Sequence, residues 1–405
     1  MSAATEVTHL ALLKRIYPED KVQKLMYDNN PAFAMMPKGY EFFGESEHRA
    51  IRYAHTVGRS ADFGTAKANK QGSQVIKMLV TVVTDYSLYS VGGRLIRVSS
   101  SQKGALVNAL TEEVDAAMDA MNRSFGWGIY NNGGGALGQV STGSTVGSST
   151  ITLSNIDDIV RFENQMWLNA ASTDGTTGTV RSGRVQVTNL DRDLGTLTVS
   201  GNWNAAGNIP QIATSDYLFP EGDFGARMSG LAAWLPTTAP TSTPFFGMDR
   251  SQDTVRLGGA RITGTNLSVV EAVKKGIQVG YRNGARTTHI FMNDKRFLDL
   301  DLELQSQKRY TDTTVGGVGF TGIEFVGHGG KPIEIYPDYN CPLNTVYGLQ
   351  MDTWSIEGPG QFPFIDATDG NKMLREESAD AFEGRIKSYH QVICKAPGRN
   401  WVVSL

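Results

Sequence analysis

Between Ser101 and Tyr130, apolar residues recur at every third or fourth position: Leu106, Leu110, Val114, Met118, Met121, Phe125 and Ile129. That spacing puts them on one face of an α-helix. Alanines at 105, 109, 116, 117 and 120 favour helix intrinsically. Ser99, Ser100 and Ser101 offer N-caps, and Gly133-Gly134-Gly135 stops the run. At 1.5 Å per residue the rod is roughly 40 Å long, and the rest of the chain must be laid out around it.

The segment before the rod has the opposite character. Residues 38–85 form a polar excursion with extended signals, from Lys38-Gly39-Tyr40 through Ile51-Arg52-Tyr53 and Gly58-Arg59-Ser60 to Lys67 and Lys70. Seven cations (Lys38, Arg49, Arg52, Arg59, Lys67, Lys70, Lys77) stand against four anions (Glu41, Glu45, Glu47, Asp62). The excursion lacks the apolar content of a buried hairpin and is expected to stand out from the body. It ends in the β-branched run Val75 to Val83, and Ser87 to Val91 reads as a further strand. Residues 1–37 read as an arm, broken by Pro18, Pro31 and Pro37.

Downstream of the rod, residues 139–235 turn rich in Ser, Thr and Gly. Arg184 to Thr188 and Thr196 to Ser200 alternate with period two around an Asp191-to-Gly195 turn, which predicts a hairpin. Trp167, Trp203 and Phe219 are candidate anchors of a small β core. The reading is an inserted β domain, followed by a proline-rich linker over 236–254. Residues 255–375 read as mixed α/β. Ser268 and Glu271 have capping-box spacing, and Asn293-Asp294 can cap a helix after the strand His289 to Met292. Residues 376–405 read as a β tail.

A chain of 405 residues fits two or three domains, and a net charge of −3 draws it neither to nucleic acid nor to membrane. No apolar run reaches the ~18 residues of a membrane helix. Two cysteines, Cys341 and Cys394, make no disulfide framework, and no signal peptide is legible, so synthesis in a reducing cytoplasm is expected. The chemical motifs are weak. Gly317, Gly319 and Gly322, and likewise Gly133, Gly135 and Gly138, match G-x-G-x-x-G without the strand–helix context of a dinucleotide site. Ser100 and Lys103 have S-x-x-K spacing but lack companion motifs. The six histidines have no metal-binding spacing, and Asp366 with Asp369 and Gly370 does not complete a calcium loop. No catalytic, cofactor or metal residue is assigned.

The order of arm, extended loop, long helix, β insert, mixed domain and β tail resembles the major capsid proteins of tailed bacteriophages, the HK97-type fold family, over nearly the whole chain. Tyr27-Asp28-Asn29-Asn30-Pro31, Ile51-Arg52-Tyr53, Gly222-Asp223, Gly230 to Pro236 and the ending Arg385 to Trp401 look similar to runs in those proteins. The resemblance implies an α+β fold. Its parts would be a peripheral domain over 86–138 with a spine helix at 101–130, an axial domain over 255–375, and a return to the peripheral domain over 376–405. It implies self-association into pentamers and hexamers of an icosahedral head around double-stranded DNA, located in the virion. Portal, decoration and separate scaffolding proteins would be partners, with no cofactor and no membrane. Only about 37 residues precede the loop, too few for a fused scaffolding segment. The expected inter-subunit residues are Arg49, Arg52, Arg59, Lys67 and Lys70 on the loop, facing Glu112, Glu113, Asp115 and Asp119 on a neighbour's helix. Alternatives are another shell or phage structural protein of this fold, or a hydrolase with an accessory β module.

Overall fold

The computed structural model describes residues 30–40, 42, 44–93, 103–305, 313–314, 321–326, 332–366, 373–377 and 379–405. The expectations for residues 1–29, for the Ser99–Ser101 caps, for Gly317 and Gly319 and for Asp369-Gly370 lie outside them. The chain divides into two compact units. One comprises residues 1–130 with 234–405, the other Asn131–Ala233.

In the first unit a short helix α1 (Pro31–Met35) leads to β1 (Lys38–Gly39). The excursion is a two-stranded antiparallel hairpin of β2 (Ser46–Ala54) and β3 (Gln74–Thr81), with helix α2 (Phe63–Ala68) near its tip. β4 (Val83–Gly92) then precedes the rod, α3 (Lys103–Gly128). Val114, Met118, Met121 and Phe125 are all buried, as the apolar stripe demands. The alternation of β4 turns Asp85, Ser87, Tyr89 and Val91 inward. Ser87 Oγ donates to the Ala117 carbonyl at 2.9 Å and Ser124 Oγ donates to Asp85, which fixes α3 against β4.

The second unit carries an antiparallel sheet built from β5 (Gly138–Gln139), β6 (Thr150–Thr152), β7 (Trp167–Ala171), β8 (Val185–Asp191), β9 (Thr196–Val199) and β10 (Tyr217–Pro220). Their order is β5-β10-β7-β8-β9-β6. The β8–β9 turn is held by Asp191 Oδ1, which accepts from the Asp193 and Leu194 amides, and by Gly195 at φ +63°. Trp203 and Phe219 are fully buried, but Trp167 is not a core anchor. It is 40% exposed, and the Arg184 guanidinium lies 4.4 Å over its ring. Gly134 and Gly135 belong to a turn so close that a Cβ would meet the carbonyls of Asp174 and Asp223 at 2.0 and 2.3 Å. That close approach, and no phosphate, explains the second glycine motif.

The remaining strands are β11 (Ala260–Thr263), β12 (His289–Met292), β13 (Thr313–Thr314), β14 (Thr321–Val326), β15 (Pro332–Pro337), β16 (Thr345–Leu349), β17 (Trp354–Glu357), β18 (Phe364–Ile365), β19 (Met373–Arg375), β20 (Ala381–Cys394) and β21 (Trp401–Ser404). A seven-stranded sheet runs β11-β21-β16-β12-β15-β14-β13. Helices α4 (Val269–Arg282) and α5 (Asp294–Gln305) cover it through Val273, Ile277, Leu300, Ile290, Ile335 and Val403. The Ser268–Glu271 capping box starts α4, and Asn293 Oδ1 accepts from the Lys295 amide at the start of α5.

The boundaries expected at 375/376 do not follow the sheets. β17, β18 and β19 leave the 255–375 segment to pair with β20, in the sheet that also holds β1 and β4. β21, from the tail, instead pairs with β11 and β16 in the seven-stranded sheet. The two sheets therefore exchange strands, because β20 and β21 are separated only by the turn around Pro397. Residues 236–254 are exposed over 237–239 and 241–244, whereas Met248 is fully buried and Phe245 packs edge-on against Trp234 at 4.9 Å.

Trp401 is seated on glycines. A Cβ at Gly276, Gly280 or Gly348 would stand 2.4, 2.5 or 2.0 Å from its ring. Gly348→Ala is expected to lower the unfolding free energy by about 1–3 kcal/mol through overpacking. Gly72→Ala, with nothing within 4 Å, should stay within about 0.5 kcal/mol of wild type. Denaturant titration of both variants checks this.

Candidate functional site

The hairpin is the surface most exposed to a partner. Within residues 55–75 only Gly58 and Ala66 are not exposed. A β strand advances ~3.3 Å per residue, so the nine residues of β2 reach about 30 Å. Val57 and Gln71 close the last bridge, with N–O distances of 3.3 and 2.7 Å. Gly58, at φ +147°, brings the two limbs together, since a Cβ there would stand 3.1 Å from the Lys70 Cα. Asp62 caps α2 by accepting from the Thr65 amide at 2.7 Å, and that bond holds its carboxyl below the usual range. The cap displays Phe63, which is 81% exposed, beside Val57 and Val75 at 61% and 55%. Sequence reasoning weighed the charges of this segment and missed Phe63. The Asp-Phe-Gly-Thr cap around it was the available signal.

Arg52, Arg59, Lys67 and Lys70 are all exposed on the outer part of the hairpin. Arg49 is not among them. It lies at the root, where its Nε meets Glu47 Oε1 at 2.6 Å and its Nη2 meets Glu357 of β17. Its charge is used within its own chain, which removes it from the expected inter-subunit set. Lys38 is likewise engaged, its Nζ donating to the Phe33 and Ala34 carbonyls at the end of α1. Burial lowers that ammonium to about 8. Glu113 and Asp119 are exposed and Asp115 is half-buried on the outer face of α3. The Glu112 side chain lies outside the described residues. Among the described residues, no contact within the chain brings the hairpin cations to these acids.

The hairpin is tied to the body along its length, at Leu79 and Thr81 near the root and at Tyr53 near the outer end of β2. The Leu79 amide donates to the Phe246 carbonyl at 2.9 Å, and Gln391 Nε2 donates to the Thr81 carbonyl at 3.2 Å. The Tyr53 hydroxyl donates to Gln252 at 2.7 Å, and Arg256 Nη1 donates to the Tyr53 carbonyl.

Two clusters bear on the enzyme alternative. His289 lies 3.4 Å from Glu334, and Thr288 Oγ1 is 2.8 Å from His289 Nδ1. The Thr288 hydroxyl, however, lies 3.3 Å from the Leu349 carbonyl and accepts from the Met351 amide. It is bonded as a fastener between the start of β12 and the end of β16 rather than poised as a nucleophile. Asp338 is buried and accepts from the Tyr130 hydroxyl at 2.8 Å and the Asn340 amide at 3.0 Å. Burial pushes its carboxyl up to about 6, against the pull of those donors. Beside it Asn30 donates to Asn122 of α3 and accepts from Asn340. This is a joint between α1, α3 and the loop after β15. Among the described residues no group of His, Cys, Asp or Glu could hold a metal ion, and no helix is long and apolar enough to cross a membrane.

No protein-family model matches the sequence, and no curated protein does. Solved structures do match. The cyanophage A-1(L) capsid asymmetric unit aligns at TM-score 0.56 and 11% identity, over 93% of this chain and 92% of that one. Mycobacterium phage Ogopogo aligns at 0.44 and 8%, over 93% and 92%, and the capsid of the native GTA particle at 0.43 and 9%, over 94% and 90%. The first of these establishes the fold: the chain is an α+β protein with the HK97-type capsid architecture.

The raised Asp338 fixes a pH dependence. A carboxyl whose folded pKa lies above its unfolded value stabilises fully below the unfolded value, and that stability is lost as pH rises through the folded one. Wild type should therefore lose on the order of 2–3 kcal/mol from this group between about pH 4 and 7. Asp338→Asn should flatten that slope in urea titrations run at each pH.

Proposed function

We propose that the chain is the major capsid subunit of a tailed bacteriophage, assembling into pentamers and hexamers of an icosahedral head that encloses double-stranded DNA. The observation that carries the reading is the hairpin: a long, ordered arm that ends in exposed Phe63, Val57 and Val75. Burying a phenylalanine side chain is worth about 1.5–3 kcal/mol. Repeated at every subunit contact, such a tip drives association without any one contact being strong. The fold shared with a phage capsid subunit supports the same reading.

A second copy supplies the surface for the tip. Arg52, Arg59, Lys67 and Lys70 carry an excess of positive charge toward it. Glu113, Asp115 and Asp119 on the outer face of α3 carry the opposite sign. Exposed ion pairs contribute only about 0–1 kcal/mol each, so the charges set register and encounter rate while the apolar tip supplies affinity. Portal, decoration and scaffolding proteins are partners of the assembled shell, in the virion and during its assembly in host cytoplasm. The role is structural, with no catalytic step and no cofactor.

The chain expressed alone should give closed icosahedral particles in negative-stain electron microscopy, or give them on co-expression with a scaffolding protein. Persistent monomers under both conditions would overturn the reading. Arg52→Glu with Arg59→Glu should leave a folded monomer that does not form normal shells. Phe63→Ser should do the same, and added salt, which screens like-charge repulsion, should restore shells in the charge-reversed pair but not in this variant. Size-exclusion chromatography and circular dichroism separate failure to assemble from failure to fold.

A further inference from the structure

The root of the hairpin holds two carboxyls and one guanidinium. Arg49 contacts both Glu47 on its own strand and Glu357 on β17. Glu357 Oε1 also accepts from Ser355 Oγ at 2.6 Å. Gly39 of β1 lies directly alongside, where a Cβ would stand 2.9 Å from the Glu357 side chain. Glu47 Oε2 is buried and no donor reaches it. A buried carboxylate oxygen left without a donor is costly. A single proton removes the cost, because a protonated Glu47 can donate to Glu357 and complete the cluster.

We infer that Glu47 and Glu357 share one proton beside Arg49, and that this proton positions the hairpin on the body of its own subunit. With the proton the cluster is neutral. Without it two carboxylates face one guanidinium, and their repulsion acts across the contact between hairpin and body. The titration directions agree. Burial raises Glu47, helped by the neighbouring Glu357. Glu357, although partly buried, is held below its usual range by the hydroxyl of Ser355 and by Glu47 and Arg49. The joint is therefore tightest between the two values. It loosens as pH rises through the raised Glu47, and again as pH falls through the lowered Glu357.

Among the described residues, the other titratable groups near the cluster are directed elsewhere. On β3 the residues opposite Glu47 and Arg49 are Val80 and Met78, and on β20 the residue opposite Glu357 is Gln391. His48 points to the other side of β2, 3.3 Å from Ser46 Oγ. Lys38 of β1 is turned to the carbonyls of α1. His390 of β20 is buried against Phe125, with Ser388 Oγ 2.8 Å from its Nδ1.

The inference is tested on the unassembled full-length chain, so it fails or stands apart from the capsid reading. The readout is the hydrogen-exchange protection of the Leu79 amide, corrected for intrinsic rate, because its bond to Phe246 ties the hairpin to the body. The background is Asp338→Asn, which removes the pH dependence of that buried carboxyl. There, protection should fall as pH rises above the glutamate range, by at most about tenfold per pH unit as for one proton. Adding Glu47→Gln supplies a permanent donor, so the protection should become independent of pH on the alkaline side and stay high. A double-variant profile that still tracks Asp338→Asn alone overturns the proposal. Should that variant not fold, the infrared spectrum of Asp338→Asn decides. A protonated carboxyl stretch that persists above the ordinary glutamate range and is lost on adding Glu357→Gln supports the shared proton, and its absence overturns it.

Discussion

The architecture of the first unit depends on covering the apolar stripe of α3. Val114, Met118, Met121 and Phe125 need a surface of matching length, and β4 with β20 supplies it. β20 is fourteen residues long and pairs with β4 over its first ten and β17 over its last four. Phe125 then gathers Phe33 at 5.0 Å and His390 at 4.3 Å, which brings in the segment before the hairpin. Once β4 is pinned to α3, the hairpin has no choice of exit, because β3 ends at Thr81 and β4 begins at Val83. The rod, the sheet and the arm are consequences of a single buried stripe.

Polar groups give that hydrophobic arrangement its uniqueness. Apolar packing alone would tolerate sliding of α1 along α3. Asn30, Asn122 and Asn340 have partners only in one register, and Gly126 is required because a Cβ would stand 2.0 Å from Asn30 Oδ1. A partly satisfied network of this kind costs more than an apolar contact would, so displaced registers are penalised. Asp338 and Tyr130 extend the same discrimination to the loop after β15.

Local patterns were legible in the sequence and long-range pairings were not. The stripe of α3, the capping box at Ser268 and the turn at Asp191 are written in residues three to four apart, and the structure contains all three. The exchange of strands between sheets is written nowhere locally. Trp354 to Glu357 and Trp401 to Ser404 are both four-residue strands that open on a tryptophan, and only pairing partners hundreds of residues away in some cases decide which sheet each joins. The prolines of 236–254 read as a spacer because composition does not reveal that Trp234 would gather Phe245 and Phe246. At the candidate site, net charge singled out the hairpin. It could not distinguish Arg49, consumed by Glu357, from Arg52 three residues on.

The bonds from Tyr53, at the outer end of β2, to Gln252 and Arg256 move the pivot of the hairpin outward, so that residues 55–73 with α2 are the part left to swing. A change confined to that outer part, too small to break any core packing, is enough to shift Phe63 on a facing surface. In the shell proposed for this chain, one sequence would in this way meet neighbours at more than one angle, as the unequal environments of identical parts require.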